Sequence, residues 1–273
     1  MSASETPANA PAPPAGPPAP AVASGGWKLK VKKLMWPGAN WVSRDKSRVV
    51  RGLLRAKPGE SLQTLDCGCG NAYFTYEAAK RGSQTLGITI HDWERRACEE
   101  MRDYLGVSPE QMQFRVERLE NLAQSPDHHA KYDQVLLFDV IEHIREDRAA
   151  LRQIHTVLNE NGLAFISTPD KDYMGNFTLM QTRVTRVENG WHVRNGYTFE
   201  ELETALREEG FEPVDRLRFG TVGTTVVVWI QNKLFRSKQD ALTTALFPLL
   251  KLISWALPWR HTHTIFVLAR KVG

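Results

Sequence analysis

Short apolar runs alternate with longer amphipathic stretches through most of this chain, a pattern typical of a sheet flanked by helices. The run at 132–138 ends in four consecutive apolar side chains, which predicts a strand buried on both faces, as in a parallel sheet. The sequence predicts seven strands, at 62–65, 85–90, 113–116, 132–138, 163–168, 211–219 and 263–271.

Helices are predicted between these strands, over 72–80, 92–105, 147–158 and 198–210. The last of them has the clearest ends, because Thr198 and Glu201 form a capping box and Gly210 is suited to terminate the helix. Since strands and helices alternate, the predicted fold class is α/β.

The N-terminal segments differ in composition from the rest of the chain. Residues 1–26 are mostly Ala, Pro, Ser and Gly and predict a disordered tail. Residues 27–56 are basic and aromatic, and they predict a helix that caps the sheet with a solvated basic face. The alternatives for this lead-in are a lid over the substrate site or a contact with anionic lipid. The domain itself is predicted to span 57–273.

An apolar insertion, residues 220–262, separates the last two predicted strands. Its segment 241–259 contains Pro248 and Lys251, whereas a membrane-spanning helix needs about 20 uninterrupted apolar residues. We therefore expect a helical insertion that makes a peripheral contact with a membrane surface through 241–259, or that packs on the core or on a second subunit in a homodimer.

The composition narrows the class of protein. At 273 residues, with 42% hydrophobic and 24% charged side chains, the chain is long enough for one domain with a substantial core. A net charge of +4 is too small for a dedicated nucleic-acid binder. The three cysteines form no C-x-x-C motif, which argues against a disulfide framework and a zinc site. These features predict a cytoplasmic protein with no nucleic-acid partner, although the basic lead-in leaves RNA modification as an alternative.

The most informative stretch is the loop Asp66-Cys67-Gly68-Cys69-Gly70, between the first strand and the first helix. Such a loop places backbone N–H groups and the positive end of a helix dipole beside a ligand. A dinucleotide-binding loop would have a third glycine where this chain has Tyr73. The acidic residue in front of the glycines favours a ligand with positive charge.

This acidic-x-Gly-x-Gly loop resembles the first motif of the class I S-adenosylmethionine-dependent methyltransferases. Asp139-Val140-Ile141-Glu142-His143, after the fourth strand, resembles the small-molecule branch that includes the ubiquinone and menaquinone methyltransferases. The resemblance implies a Rossmann-like, mostly parallel seven-stranded sheet with an antiparallel last strand. It also implies S-adenosyl-L-methionine as cofactor. An Asn-Pro-Pro-Tyr type motif, typical of enzymes that methylate nucleobase or amide nitrogens, is missing after this strand.

The family pattern assigns the cofactor to a set of loop residues, namely Asp66, Gly68, Gly70, Thr89, Glu94, Arg118, Leu119 and Asp139. Two positions depart from the common pattern. Thr89 replaces the usual ribose-binding acid, as in cyclopropane-lipid synthases, with Glu94 matching a helper position one helix turn later. Arg118 stands where an acid often helps to hold the adenine.

Methyl transfer from a sulfonium is an in-line displacement that needs alignment, exclusion of water and, for a hydroxyl acceptor, removal of a proton. The candidate catalytic residues are His143, His192 and Glu142. The resemblance leaves a second role open for Asp139, Glu142 and His143, which could hold a divalent ion such as magnesium. We nevertheless assign no metal site.

The sequence therefore predicts O-methylation of a small molecule, and the apolar insertion favours a lipid, quinone or lipid-linked glycan intermediate as acceptor. Two alternatives remain. Gly87-Ile88-Thr89-Ile90 favours C-methylation of a lipid or isoprenoid. The departures at Thr89 and Arg118 are consistent with a non-catalytic methyltransferase-like protein that partners a membrane or a complex.

Overall fold

The computed structural model describes residues 26–36, 38, 41–54, 61–176, 192–235, 239–258 and 260–273. Seven strands form one sheet in the order β3-β2-β1-β4-β5-β7-β6. Their bounds are β1 Gln63–Cys67, β2 Gln84–Thr89, β3 Met112–Val116, β4 Tyr132–Phe138, β5 Leu158–Pro169, β6 Phe211–Thr221 and β7 Arg260–Lys271. Neighbours from β3 through β5 pair in parallel, whereas β7 lies antiparallel between β5 and β6. The predicted α/β class and the antiparallel last strand are thus confirmed.

Helices cover both faces of the sheet, and further helices form a separate subdomain that is described below. Their bounds are α1 Gly26–Met35, α2 Trp41–Leu53, α3 Tyr73–Ala79, α4 Asp92–Leu105, α5 Leu119–Gln124, α6 Asp147–Val157, α7 Lys171–Asn176, α8 Phe199–Glu208, α9 Val222–Ile230, α10 Gln239–Ala245 and α11 Phe247–Ala256. Apart from Gly26, the predicted disordered tail lies outside the described residues, as does most of the segment that follows α7.

The core has a separate cluster for each face of the sheet. Leu65, Leu137 and Ile166 are among the residues that pack with α6 and α8 on one face. Leu136 and Phe165 point to the other face, where α2 lies. The alternation along β4 follows from the two-residue period of a strand, and the four apolar residues at its end are therefore buried on both sides, as predicted.

The insertion forms an apolar helical subdomain together with the N-terminal helices. Buried Met35 of α1, Trp41 of α2, Val227 of α9 and Phe247 of α11 belong to one hydrophobic cluster. Within the described part of the chain, no helix is both long and apolar enough to cross a membrane. The insertion is helical as expected, and it packs on the lead-in helices.

Candidate active site

The glycine loop follows β1 directly and has the backbone that its sequence requires. Gly68 and Gly70 have φ angles of +76° and +53°, in the left-handed region that favours glycine. A Cβ on Gly68 would lie only 2.5 Å from Cγ2 of Val140, the second residue after β4. The loop after β1 and the loop after β4 therefore touch, and side-chain-free backbone at Gly68 makes that approach possible.

Asp66 is buried at the end of β1. It accepts a hydrogen bond of 2.6 Å from the Thr75 hydroxyl of α3. Burial raises the pKa of Asp66 to about 6, although the hydrogen bonds from Thr75 act in the opposite direction. A carboxylate kept in a dry site at this energetic cost is suited to a cationic ligand, whose charge would replace the lost solvation.

The side chains of Thr89 and Glu94, the two residues that the sequence assigns to the ribose, are in contact. The Thr89 hydroxyl donates to Oε2 of Glu94, and the backbone N–H of His91 donates to the Thr89 oxygen at 3.3 Å. Farther along this edge, Leu119 is buried, whereas Arg118 is exposed just before α5. These residues lie at the carboxyl ends of β2 and β3, where ligands bind in open α/β sheets.

Asp139 is the first residue after β4 and adopts a left-handed φ of +55°. Its Oδ1 accepts a hydrogen bond of 3.0 Å from Ser167 of β5, and its Oδ2 lies 2.5 Å from the Lys46 ammonium. Strained backbone at a non-glycine residue persists where the surroundings hold it, and such residues cluster at functional sites. Lys46 belongs to α2 and is 1% exposed, so a residue of the basic lead-in forms part of the site.

The three candidate catalytic residues are adjacent. The rings of His143 and His192 meet edge to face with centroids 4.6 Å apart. The Glu142 carboxyl is buried and accepts a hydrogen bond of 3.2 Å from the Thr168 hydroxyl. Burial, reinforced by the charge of Asp139, raises the pKa of Glu142 to about 8. Burial and the nearby His143 lower the pKa of His192 to about 4, so His192 is neutral at physiological pH.

A short segment after the undescribed stretch holds His192 in place. The N–H of Val193 donates to the Glu142 carbonyl, and the N–H of Tyr197 donates to the Pro169 carbonyl. Gly196 has a φ of +96°, and a Cβ there would lie 2.0 Å from the Pro169 oxygen. The segment can reach the ends of β4 and β5 only with glycine at this position.

Glu142, His143 and His192 can each offer a ligand atom, and these atoms lie within 4.8 Å of one another. The second carboxyl oxygen of Glu142, Oε1, is buried without a hydrogen-bond partner among the described residues. One oxygen and two imidazole nitrogens fit a divalent transition metal better than magnesium, which prefers oxygen. This group differs from Asp139, Glu142 and His143, the set for which the sequence left a metal-binding role open. Asp139 pairs with Lys46, and His192 is the residue that could offer a third ligand atom.

Sequence reasoning missed Lys46 and Ser167. Lys46 lies in an amphipathic basic helix, a pattern that indicates solvated lysines, and its partner is far away in the sequence. Ser167 lies within the apolar fifth strand. The position of Ser167 one residue before Thr168 at the carboxyl end of a parallel strand was the available signal.

Comparison with known proteins identifies similar methyltransferases. Residues 41–216, more than half of the chain, match a family model described as a methyltransferase domain. A ubiquinone biosynthesis O-methyltransferase of Ruegeria pomeroyi is 27% identical over 173 residues, 62% of this chain and 67% of that protein. The corresponding protein of Aeromonas salmonicida is 30% identical over 108 residues, 40% of this chain and 43% of its own length. The matches thus cover between about two fifths and two thirds of these relatives.

Among solved structures, an S-adenosylmethionine-dependent methyltransferase from Archaeoglobus fulgidus superimposes with a TM-score of 0.55. The alignment covers 90% of this chain and all of that one at 16% identity, which establishes the shared fold.

Proposed function

The chain belongs to the methyltransferase domain family and is an S-adenosylmethionine-dependent methyltransferase, and on this premise we propose that it methylates a hydroxyl group of a small apolar acceptor. The observation that carries the proposal is the group formed by Glu142, His143 and His192 at the end of β4. The proximity of Val140 to Gly68 supports a position of this group close to the proposed cofactor loop.

We propose that Asp66, Gly68 and Gly70 bind the methionine end of the cofactor, and that Thr89 with Glu94 binds the ribose. Asp66 offers a buried carboxylate to the cofactor ammonium, and the loop N–H groups offer donors to its carboxylate. Arg118 and Leu119 lie on the edge that would face the adenine.

The proposed role of the histidines is to remove the proton of the acceptor hydroxyl while its oxygen forms the new bond to the methyl carbon. The low pKa of His192 keeps its ring neutral, so that a nitrogen can accept a hydrogen bond from the hydroxyl at physiological pH. The carbon–sulfur bond breaks in the same step, its electron pair stays on sulfur, and no covalent enzyme intermediate is needed. If Glu142, His143 and His192 instead bind a divalent cation, that ion would replace the histidine as the activating group, because it would lower the pKa of a hydroxyl bound beside it.

The acceptor class is inferred from the relatives and from the apolar subdomain. The relatives named above act in ubiquinone biosynthesis by name, which favours a phenolic ring carrying an apolar chain. The outward side of α11 exposes Leu249, Leu252 and Trp255, although its inward side is also apolar. A helix that is apolar on both sides needs a second apolar partner, and exposed Lys251 on the same helix favours an anionic lipid surface.

The test is a product assay with hydroxylated aromatic acceptors that carry prenyl chains of increasing length. The protein is incubated with labelled S-adenosylmethionine, with and without added divalent ions, and the products are analysed for methoxy and C-methyl groups. A methoxy product, lost in Gly68→Val, supports the proposal. A C-methyl product would support the alternative favoured by the Gly87–Ile90 stretch. Cofactor binding without product from any acceptor would support a non-catalytic role.

A further inference from the structure

The ion pair between buried Lys46 and partly exposed Asp139 carries an inference about how the site binds its charged cofactor. We infer that Lys46 is a positioning residue that neutralises the charge of Asp139. Because of this pairing, the site does not stabilise the positively charged cofactor more than it stabilises the transition state. The inference rests on the cofactor placement proposed above. It concerns a residue that lies outside every motif of the sequence.

The geometry pairs Lys46 directly with Asp139, and its charge also lowers the pKa of Glu142. Its ammonium lies 2.5 Å from Oδ2 of Asp139 and 5.6 Å from the centre of the Phe138 ring. The Lys46 side chain is 1% exposed and therefore has almost no contact with water, whereas the side chain of Asp139 is 31% exposed. Ser167 holds the other oxygen of the same carboxylate. The open side of Asp139 therefore presents a carboxylate whose charge is already paired.

The helix that carries Lys46 is held by contacts with α9 and α11. The neighbouring residue, Asp45, accepts a hydrogen bond of 2.5 Å from the Thr224 hydroxyl of α9. One turn earlier, Trp41 stacks on Phe247 of α11 with ring centroids 5.5 Å apart. Because these contacts lock α2, the ammonium of Lys46 is held at one place beside the loop after β4.

On the proposed cofactor placement, the sulfur, which joins the methionine end to the ribose, lies near Asp139. Asp139 directly precedes Val140, which contacts the glycine loop through Gly68. Its charge also acts on Glu142 and on His192, so it belongs to the same small volume as the catalytic group. The charged and titratable groups around it include Lys46, Glu142 and His192.

The chemical consequence follows from the direction of charge movement. S-adenosylmethionine carries a positive sulfur, and this charge is lost as the methyl group leaves. An unpaired carboxylate near that sulfur would stabilise the reactant more than the transition state and would slow the transfer. It would also favour the sulfonium over S-adenosylhomocysteine, the uncharged thioether product. Pairing Asp139 with Lys46 removes this bias, and the burial of Lys46 keeps the ammonium away from the ligand.

The experiment measures calorimetrically the dissociation constants of S-adenosylmethionine and S-adenosylhomocysteine and takes their ratio. Lys46→Met leaves Asp139 unpaired and is expected to shift the ratio about fivefold toward S-adenosylmethionine. Asp139→Asn leaves the ammonium unpaired and is expected to shift it in the opposite direction. The double variant Lys46→Met/Asp139→Asn and the conservative Lys46→Arg are expected to retain the wild-type ratio.

A purely structural role would weaken both ligands equally and leave the ratio unchanged, and that result would overturn the inference. If Lys46→Met does not fold, the opposite shift in Asp139→Asn and its absence in the double variant remain decisive. Failure of the wild-type protein to bind either ligand would instead refute the proposed cofactor site.

Discussion

The rings of His143 and His192 meet edge to face, with centroids 4.6 Å apart, although one follows β4 and the other precedes α8. His143 is fixed by the short turn that buries Glu142, and His192 is brought to it by the backbone bond from Val193 to the Glu142 carbonyl. This contact brings two nitrogen bases together at the carboxyl edge of the sheet. The predictions for catalysis follow from it.

Replacement of either histidine should reduce methyl transfer without preventing cofactor binding. We expect His192→Gln and His143→Gln to lower kcat by a factor of about 10²–10⁴, the range for loss of a general base. The dissociation constant of S-adenosylmethionine, measured by calorimetry, should change by less than about threefold. His129→Gln, at an exposed position just before the amino end of β4 and so at the opposite end of that strand from the site, is the matched control and should retain activity. Loss of cofactor binding in the two active-site variants would contradict the assigned role.

Cofactor binding should weaken in mild acid because of Asp66. Its pKa is raised to about 6 by burial, so in the free protein the carboxylate that would bind the cofactor ammonium becomes protonated as pH falls through that value. Below about pH 6 we expect the affinity for S-adenosylmethionine to fall up to tenfold per pH unit, the limit for uptake of one proton. S-adenosylhomocysteine has the same ammonium and should show the same dependence. Calorimetry between pH 5 and pH 8 measures this change, and a flat profile would exclude Asp66 as the ammonium ligand.

The same burial predicts a conflict between stability and function at Asp66. Because the folded pKa is raised above the unfolded value, the folded protein binds more protons and its stability falls as pH rises from about 4 to about 6. Asp66→Asn removes this cost and keeps an oxygen that can accept from Thr75. We expect the variant without ligand to be more stable above pH 6 by about 1–3 kcal/mol, measured by urea unfolding, while it binds cofactor poorly. The difference in stability should vanish below about pH 4, where Asp66 is protonated in both the folded and the unfolded protein, and this provides the internal control.

The two glycines of the loop should respond differently to alanine. In Gly68→Ala the new Cβ would lie 2.5 Å from Val140, in addition to the cost of the left-handed backbone. In Gly70→Ala the nearest atom is 3.9 Å away, and only the backbone cost of about 1–2 kcal/mol applies. Cofactor affinity should therefore fall much more in Gly68→Ala. Adding Val140→Ala should recover part of that loss, and failure to recover any would show that the clash is not the cause.

The sequence predicted the sheet well because buried parallel strands have continuous apolar runs. The predicted β4 and α4 coincide with the observed elements, and the capping box of Thr198 and Glu201 is present. The prediction failed where the local pattern was weak. The six-residue helix α5 was not predicted, since it is short and largely polar. β5 begins at Leu158, five residues earlier than predicted, through the polar turn before Gly162.

The site could be predicted only as far as its residues follow strand ends. Four of the predicted residues come directly after apolar runs: Asp66, Thr89, Asp139 and Glu142. Because the parallel strands end at the same edge of the sheet, these residues lie at that edge. The partner of Asp139 could not be found in this way. Lys46 lies on a helix whose basic composition indicates solvent exposure, and only the tertiary contact between α2 and β4 removes it from water.

Attachment of the apolar subdomain to membranes should depend on the outward side of α11. Leu249, Leu252 and Trp255 are 52%, 55% and 71% exposed, and burying such side chains in lipid is favourable by about 1–2 kcal/mol each. We expect the triple replacement by Gln to reduce partition to vesicles containing anionic lipid by about a hundredfold. Replacing Val116 and Val214, which are each 44% exposed on the sheet domain, is the matched control and should have little effect.

Two further measurements separate this explanation from the homodimer. Exposed Lys30, Lys33, Lys233 and Lys251 should make vesicle binding weaker at high salt and weaker on neutral lipid, because screening reduces the attraction between lysines and anionic head groups. Sedimentation should show a monomer at low concentration if lipid is the partner of α11. The alternative is a second copy of the chain on this side of the helix. It would be supported if the wild-type protein forms a dimer and does not bind vesicles, and if the triple Gln variant is monomeric. In that case the apolar acceptor would have to reach Glu142, His143 and His192 from solution.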